Sequence, residues 1–236
     1  SDTLLEVIGK TRQINKHAFP IDDSQSPWMV LPSGVLKSTL DVVQKGRQVY
    51  RAWKGADTRG GNGIFWLEVL RREKGLIVAR NTPEFSKKKP PQKEWVFEES
   101  LVYSLLRGRE TERWKTSPKL FLLFPHRGDS AIPEKELKEQ WPKSYAYLKA
   151  METHLRKRKM YDLSRRELAF YSLFETGDFL LSPFKVVWKY IASGLTCAVQ
   201  GALADEHGHS IVIPDHKLVI VPFSDASEAH YVCAAL

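Results

Sequence analysis

The sequence predicts an α+β fold of mixed or antiparallel β-sheets with flanking helices. Short segments rich in β-branched and aromatic residues, bounded by Gly and Pro, recur between residues 47 and 223. Helical periodicity is confined to a few stretches. With 236 residues and 42% hydrophobic residues, the chain is long and apolar enough to bury a core, as one large domain or two small ones.

The strand predictions follow from residue type and from the turn residues between segments. The strand-like segments are RQVYRAWKG (47–55), GIFWLEVLRREKGLIVAR (63–80), WVFEESLVYSLL (95–106), KLFLLFPH (119–126), FLLSPFKVVWKYIA (179–192) and HSIVIPDHKLVIVPF (209–223). WVFEESLVYSLL also fits a strand followed by a short helix. Pro214-Asp215 divides the last segment into two strands. PWMVLPSG (27–34) predicts another short extended piece.

Three stretches predict helices. Residues 35–46 place Leu36, Leu40 and Val43 on one face. In residues 133–160, Pro142 suits a first helical turn and is followed by an apolar stripe of Tyr145, Leu148, Met151 and Leu155. Residues 225–236 read as a helix capped by Ser224, Asp225 or Ser227. That helix reaches Leu236 while still apolar, so we expect the natural polypeptide to continue beyond it.

The positive charge is concentrated in the middle of the chain. The net charge is +8, and residues 103–166 carry 16 Lys and Arg against 8 Asp and Glu. Residues 167–236 carry 3 against 8. A polyanion partner would explain this distribution, and a solvated basic face is the alternative. The sequence lacks an 18-residue apolar run and an apolar signal core at its start, so we expect a cytoplasmic protein with no membrane partner. We also expect a monomer.

The sequence contains no recognisable catalytic constellation. GADTRGGNG (55–63) lacks the Lys-Ser/Thr pair of a phosphate-binding loop, and a tight loop between strands is the prediction. No Cys or His pair has zinc spacing, so we predict no metal site. Cys197 and Cys233 read as buried thiols, with a disulfide as the alternative. We expect the 236 residues alone to be catalytically inert.

Binding chemistry is the remaining prediction, because basic and planar residues alternate. Examples are Arg51-Ala-Trp53-Lys54 and Arg113-Trp114-Lys115. Arginine suits phosphates and guanine, and aromatic rings stack on bases. Arg107 and Arg109 are two residues apart, so in an extended segment both would face the same side. We expect Trp114 to be a buried anchor that packs against LFLLF.

Several motifs occur in an order that resembles a known family. They are WKGADTRGGNGIF (53–65), LLRGRETERW (105–114) and WPKSYAYL (141–148), preceded by PWMVLPSG and followed by IVIPDHKLVIVPFSDASEAHYVCAAL. This order resembles the C-terminal, TaqI-like target-recognition region of adenine-specific DNA methyltransferases, particularly in type IIG restriction–modification enzymes. Glu110 stands where that family usually has Asp, and Trp141 where it usually has Tyr.

The resemblance implies that residues 27–236 recognise duplex DNA, as one region or as two lobes, 27–130 and 131–236. Residues 1–26 would be a linker or the end of a preceding domain. The methyltransferase domain would lie upstream in the parent protein, with S-adenosylmethionine as its cofactor and Mg²⁺ added if a nuclease domain is present. No cofactor is expected in these residues. The expected DNA-binding residues are Lys54, Thr58, Arg59, Asn62, Arg107, Arg109, Arg113, Lys115, Arg127, Lys143, Lys185 and Lys189.

Three alternatives remain at this stage. The chain is also compatible with an RNA- or single-strand-binding module, with a basic domain that docks on a protein, and with an enzyme of unrecognised mechanism.

Overall fold

The computed structural model describes residues 3–10, 16–20, 25, 28–32, 49–158, 168–205 and 208–236. The chain divides into two compact units, Ser1–Arg51 and Ala52–Leu236. Within the described residues, no helix is long and apolar enough to cross a membrane. The α+β class predicted from the sequence is confirmed, with several antiparallel or mixed sheets and few helices.

The first unit contains a helix and a hairpin. Helix α1 (Leu4–Lys10) precedes the antiparallel strands β1 (Lys16–Pro20) and β2 (Trp28–Pro32). The extended piece predicted at 27–34 is therefore a strand. The boundary expected after residue 26 falls inside this hairpin, so residues 1–26 are not a separate linker. The helix predicted over 35–46 lies outside the described residues.

The second unit holds the other elements of the described residues. Its strands are β3 (Trp53–Lys54), β4 (Trp66–Glu73), β5 (Leu76–Asn81), β6 (Glu94–Glu98), β7 (Val102–Leu106), β8 (Thr111–Glu112), β9 (Lys115–Thr116), β10 (Leu120–Leu123), β11 (His126–Arg127), β12 (Ser130–Ala131), β13 (Phe184–Lys189), β14 (Cys197–Gln200), β15 (Leu203–Asp205), β16 (Gly208–Ser210), β17 (Val212–Pro214) and β18 (Leu218–Phe223). Its α-helices are α2 (Asn62–Phe65), α3 (Glu134–Gln140), α4 (Pro142–Ala150), α5 (Glu152–Arg156) and α6 (Ala226–Ala235). Short 3₁₀ turns cover Pro83–Phe85, Glu99–Leu101, Gly108–Glu110 and Asp178–Leu181.

Two sheets organise this unit. The larger has the order β17-β7-β10-β4-β5-β6 and is antiparallel except for the parallel pair β17 and β7. The smaller has the order β14-β13-β18-β3 and is antiparallel. Each sheet combines strands from before and after residue 130, so the expected division into lobes 27–130 and 131–236 does not separate them.

The core forms where these sheets and the helices meet. The main apolar cluster includes Phe65, Phe97, Leu122 and Tyr147, whose hydroxyl donates to the carbonyl of Ile64 at 2.6 Å. Strand β13 is covered on both faces, because Val187 belongs to this cluster. Its neighbour Val186 packs in a second cluster with Cys197 and Cys233.

The helix starts follow the predicted signals. Helix α4 begins at Pro142, and Leu148, Met151 and Leu155 of the predicted stripe are buried, while Tyr145 is half-buried. Of the three candidate caps, Asp225 caps α6, with its carboxylate accepting from Glu228 N–H at 2.8 Å.

Candidate nucleic-acid interface

Arg107 and Arg109 lie in opposite environments. Arg107 is 4% exposed and forms an ion pair with the equally buried Glu110. Its Nε donates to Glu110 Oε1 at 3.0 Å, and its backbone N–H donates to Oε2 at 3.1 Å. Arg109 is exposed. The expectation that both arginines face DNA is therefore wrong for Arg107, because Glu110 at the end of the 3₁₀ turn Gly108–Glu110 holds its guanidinium in the interior. Both guanidinium groups lie over the Phe85 ring, at 5.2 Å (Arg107) and 5.4 Å (Arg109) from its centroid.

Backbone hydrogen bonds bring three chain segments together beside Arg109. Asp215 N–H donates to Leu106 O at 2.9 Å, which joins the turn after β17 to the end of β7. Tyr190 N–H donates to Lys217 O at 2.8 Å, which joins the end of β13 to the same turn. These bonds hold the three segments that carry Arg109, Tyr190 and Lys217 next to one another.

A cleft of about 580 Å³ opens between these segments, and we call it the basic cleft. Ile191 lines it and is 86% exposed. The other lining residues are Gly108, Arg109, Lys189, Tyr190, His216 and Lys217. The carboxylates next to these residues are buried and already accept hydrogen bonds. Glu110 binds Arg107, and Asp215 Oδ1 accepts from Lys217 N–H at 3.0 Å. The basic cleft therefore presents cations to an anionic ligand.

The turn at Gly55 supports the wall of the cleft. Gly55 N–H donates to Leu218 O at 3.0 Å, and Ala56 N–H donates to Pro214 O at 2.9 Å. A Cβ on Gly55 would lie 2.3 Å from the carbonyl oxygens of both Pro214 and Asp215. Only glycine permits this approach, which holds the 215–217 turn in place.

A second groove, of about 520 Å³, adjoins the first because Arg109 lines both. Its other lining residues are Glu110, Glu112, Lys115, Ser117 and Lys119. Strands β8 and β9 form the hairpin that carries several of them, with Glu112 opposite Lys115. The exposed side chains of Lys115 and Lys119 therefore continue the basic cleft into this hairpin groove, where Glu112 is an exposed carboxylate.

Trp114 lies at the tip of that hairpin and is 55% exposed, so the expectation that it is a buried anchor is wrong. Its φ of 65° is unusual for a bulky side chain, and its N–H donates to Cys197 O at 3.0 Å. The Arg113 guanidinium lies 5.2 Å from its ring centroid. Backbone strain that presents an exposed ring is typical of functional positions.

Lys54 also lies beside the basic cleft. Its Nζ is 4.3 Å from the centroid of the Tyr190 ring, a cation–π geometry, and Tyr190 itself is 53% exposed. The adjacent Trp53 instead stacks on Phe179, at 4.7 Å between ring centroids. The structure thus brings together Lys54, Arg109, Lys115 and Lys189 of the predicted set, with Arg113 on the same hairpin as Lys115.

The predicted residues of the glycine-rich loop mainly support the fold. Thr58 is buried and donates its hydroxyl to Asn62 Oδ1, so it is not available to DNA. Arg59 is half-buried, with its backbone N–H donating to Asp57 Oδ1 at 2.7 Å and its guanidinium 5.3 Å from the Phe174 ring centroid. Residues 55–61 form a loop after β3, as predicted, but Asn62 and Gly63 begin helix α2.

Two further predicted residues are exposed but do not line the basic cleft. Arg127 pairs with Glu136 at 2.7 Å. It lines a different cleft with Trp53 and Asp178. Lys143 is in the first turn of α4, with its backbone N–H bound by Glu98.

Lys185 is a further correction, because the predicted DNA contact is 1% exposed. Its ammonium donates to Ser182 O, and burial lowers the pKa of Lys185 to about 7. The neighbouring residues Val186 and Val187 are buried on opposite faces of β13, so the alternation of basic and aromatic residues does not place Lys185 outside.

Sequence reasoning missed four residues of this surface. Lys119, Tyr190, His216 and Lys217 were not assigned to DNA, although Lys217 and Lys189 are two of only three lysines or arginines in the acidic segment 167–236. The presence of these lysines in an otherwise acidic segment was the sequence signal that could have identified Lys217. Lys217 reaches Arg109 through the parallel pairing of β17 with β7, and Lys189 through the pairing of β13 with β18. No local pattern predicts either pairing.

No family model matches the chain. A search of curated proteins finds none with significant similarity to it.

Proposed function

We propose that this chain recognises duplex DNA for an adenine-specific DNA methyltransferase or a combined restriction–modification enzyme. The observation that carries the proposal is the basic cleft, in which Arg109, Lys189 and Lys217 line one concave surface without a free carboxylate among the lining residues. Phosphate contacts from such cations position a protein on DNA, while base contacts select the sequence.

The finer parts of the proposal rest on the motif order. The fold would be that of a target-recognition region acting in the cytoplasm as a monomer. Methyl transfer from S-adenosylmethionine, and any Mg²⁺-dependent cleavage, would belong to another domain of the parent polypeptide. The present residues are assigned binding and sequence choice only.

Titration of a fluorescent 30-base-pair duplex by anisotropy tests the proposal. Lys189→Ala and Lys217→Ala should each weaken binding for all sequences alike and reduce the salt slope by about 1, as expected for phosphate contacts. Lys138→Ala, an exposed lysine on α3, is the matched control and should bind like the wild type. Equal effects of all three variants would contradict the assignment of the cleft.

Selection from a randomised duplex library tests sequence choice. Enrichment of one short motif by the wild type, lost or relaxed in Arg109→Ala, would support target recognition. Recovery of random sequence at every position would contradict it.

A single-strand-binding module is the second candidate, and the exposed rings of Trp114 and Tyr190 favour it. Competition separates the two functions. Unlabelled duplex should displace the labelled duplex at lower concentration than single-stranded DNA or RNA of equal length. The reverse order would favour the second candidate.

A further inference from the structure

Tyr190 is positioned as a stacking surface at the mouth of the basic cleft. Its backbone is fixed by the hydrogen bond to Lys217 O at 2.8 Å, and its ring is 53% exposed. The Lys54 ammonium lies 4.3 Å from the ring centroid and so covers part of one face. A ring with a cation on one face and solvent access elsewhere offers a π-surface to a planar ligand.

The floor of the cleft has no side chain at Gly108. A Cβ at this position would lie 3.8 Å from Lys217 Cβ and 4.0 Å from Lys189 Cγ, within ordinary van der Waals contact. Glycine therefore leaves the space between the two lysine stems open. The backbone of Gly108 is not in the left-handed region, so the missing side chain is not needed for the turn itself.

The charges around this space suit phosphate. Arg109, Lys189 and Lys217 approach it from three chain segments, while Glu110 and Asp215 are buried and already accept hydrogen bonds. Guanidinium and ammonium groups bind phosphate oxygens, and an aromatic ring binds any base through its π-face. The volume of about 580 Å³ is within the range of small-ligand sites.

We infer that the basic cleft binds one unpaired nucleotide, with its base against Tyr190 and its phosphates at Arg109, Lys189 and Lys217. This inference rests on the proposed function, since it assigns the same cleft to nucleic acid, but it adds an unstacked base to the backbone contacts. The nucleotide has two possible sources, which share this chemistry: a single strand, or a base displaced from a duplex.

Three oligonucleotides of one sequence test the inference: a paired duplex, the same duplex with one bulged 2-aminopurine nucleotide, and the single strand. The wild type should bind the bulged duplex roughly 5- to 150-fold more tightly than the paired one, the range expected for stacking of one base. The 2-aminopurine fluorescence should fall on binding. A single strand that binds as tightly as the bulged duplex assigns the first source, and a weaker single strand assigns the second.

Variants at Tyr190 test whether its ring is the surface that binds the unpaired base. Tyr190→Ala should abolish the preference for the bulged duplex while the paired duplex binds nearly as before, and Tyr190→Phe should retain the preference. Gly108→Ala adds a methyl group to the floor and should lower the preference without loss of stability. Gly194→Ala, whose added Cβ would meet no atom within 4 Å, is the control and should behave like the wild type.

The outcomes are distinguishable. Equal affinity of the wild type for paired and bulged duplexes, or equal losses for both in Tyr190→Ala, would overturn the inference and leave the proposed function standing. Absence of binding to all three oligonucleotides would overturn both.

Discussion

Replacing Arg107 with alanine should destabilise the second unit strongly, although the residue belongs to the most basic motif of the sequence. The side chains of Arg107 and Glu110 are 5% and 3% exposed, and Nε and Nη2 of the guanidinium both donate to Glu110 Oε1. Removing one partner leaves a buried carboxylate without its counter-charge, which costs about 3–5 kcal/mol. For a unit of this length the expected fall in Tm is roughly 6–20 °C.

Arg109→Ala provides the matched comparison two residues away. Its side chain is exposed, so truncation should change the free energy of unfolding by less than about 0.5 kcal/mol. Duplex affinity should fall instead, because Arg109 lines both the basic cleft and the hairpin groove. Thermal melts and anisotropy titrations at 20 °C on both variants measure the two effects separately.

A double variant tests whether the Arg107 effect arises from the ion pair. Arg107→Met with Glu110→Met replaces both charges with apolar groups and should recover most of the stability lost in Arg107→Ala. The reasoning is refuted if Arg107→Ala melts like the wild type but loses DNA, while Arg109→Ala melts early.

Three further predictions concern Trp114, Lys185 and Gly55. The burial of Trp114 and Lys185 differs from the expectation, and Gly55 supports the wall of the basic cleft. Trp114→Ala should lower the free energy of unfolding by less than about 1 kcal/mol, because its ring is 55% exposed, and should weaken DNA binding; a loss of about 3–5 kcal/mol in denaturant unfolding would indicate a buried ring. Burial lowers the pKa of Lys185 to about 7. Above that pH the folded state has released a proton that the unfolded state keeps until about pH 10. The free energy of unfolding should therefore rise with pH by up to about 1.4 kcal/mol per pH unit. Urea unfolding from pH 6 to pH 10 measures this rise, and Lys185→Met should remove it; an unchanged slope in the variant would assign the rise to other groups. Gly55→Ala should destabilise by about 1–3 kcal/mol, because its Cβ would meet two carbonyl oxygens at 2.3 Å, and melting at the wild-type temperature would contradict that approach.

Local signals predicted the elements whose cause is local. Pro142 marks the first turn of α4, Asp225 caps α6, and Pro214-Asp215 separates β17 from β18. Each of these depends on backbone geometry that one or two residues determine. The alternation of β-branched and aromatic residues likewise predicted β4, β5 and β13 within a few residues.

Burial of charged side chains was not predictable, because it depends on distant partners. Lys185 and Lys189 both lie in β13 and both follow an aromatic residue, yet Lys185 is buried and Lys189 lines the basic cleft. Lys185 is next to Val186 and Val187, which pack in the two apolar clusters, whereas Lys189 is the last residue of the strand. Arg107 is buried because the turn at Gly108–Glu110 places the Glu110 carboxylate beside its guanidinium. Sequence spacing alone favoured exposure of both Arg107 and Arg109.

Part of the candidate surface was predictable and part was not. The charge excess of residues 103–166 indicated Arg109, Arg113 and Lys115 correctly as exposed side chains. Lys217 joins them because β17 pairs in parallel with β7. Tyr190 joins them because its N–H, just after β13, donates to Lys217 O in the turn after β17. Such long-range pairing has no local signature.

The salt dependence of duplex binding is the most direct test of the basic cleft as a DNA-binding surface. If about five phosphates are neutralised, log K should fall with log salt at a slope near −4 to −5 for the wild type. The triple variant Arg109→Ala/Lys189→Ala/Lys217→Ala should retain a slope of only about −2, since each lost contact reduces it by about 1. A flat response in the wild type, or the same steep slope in the triple variant, would contradict the assignment of DNA to this cleft.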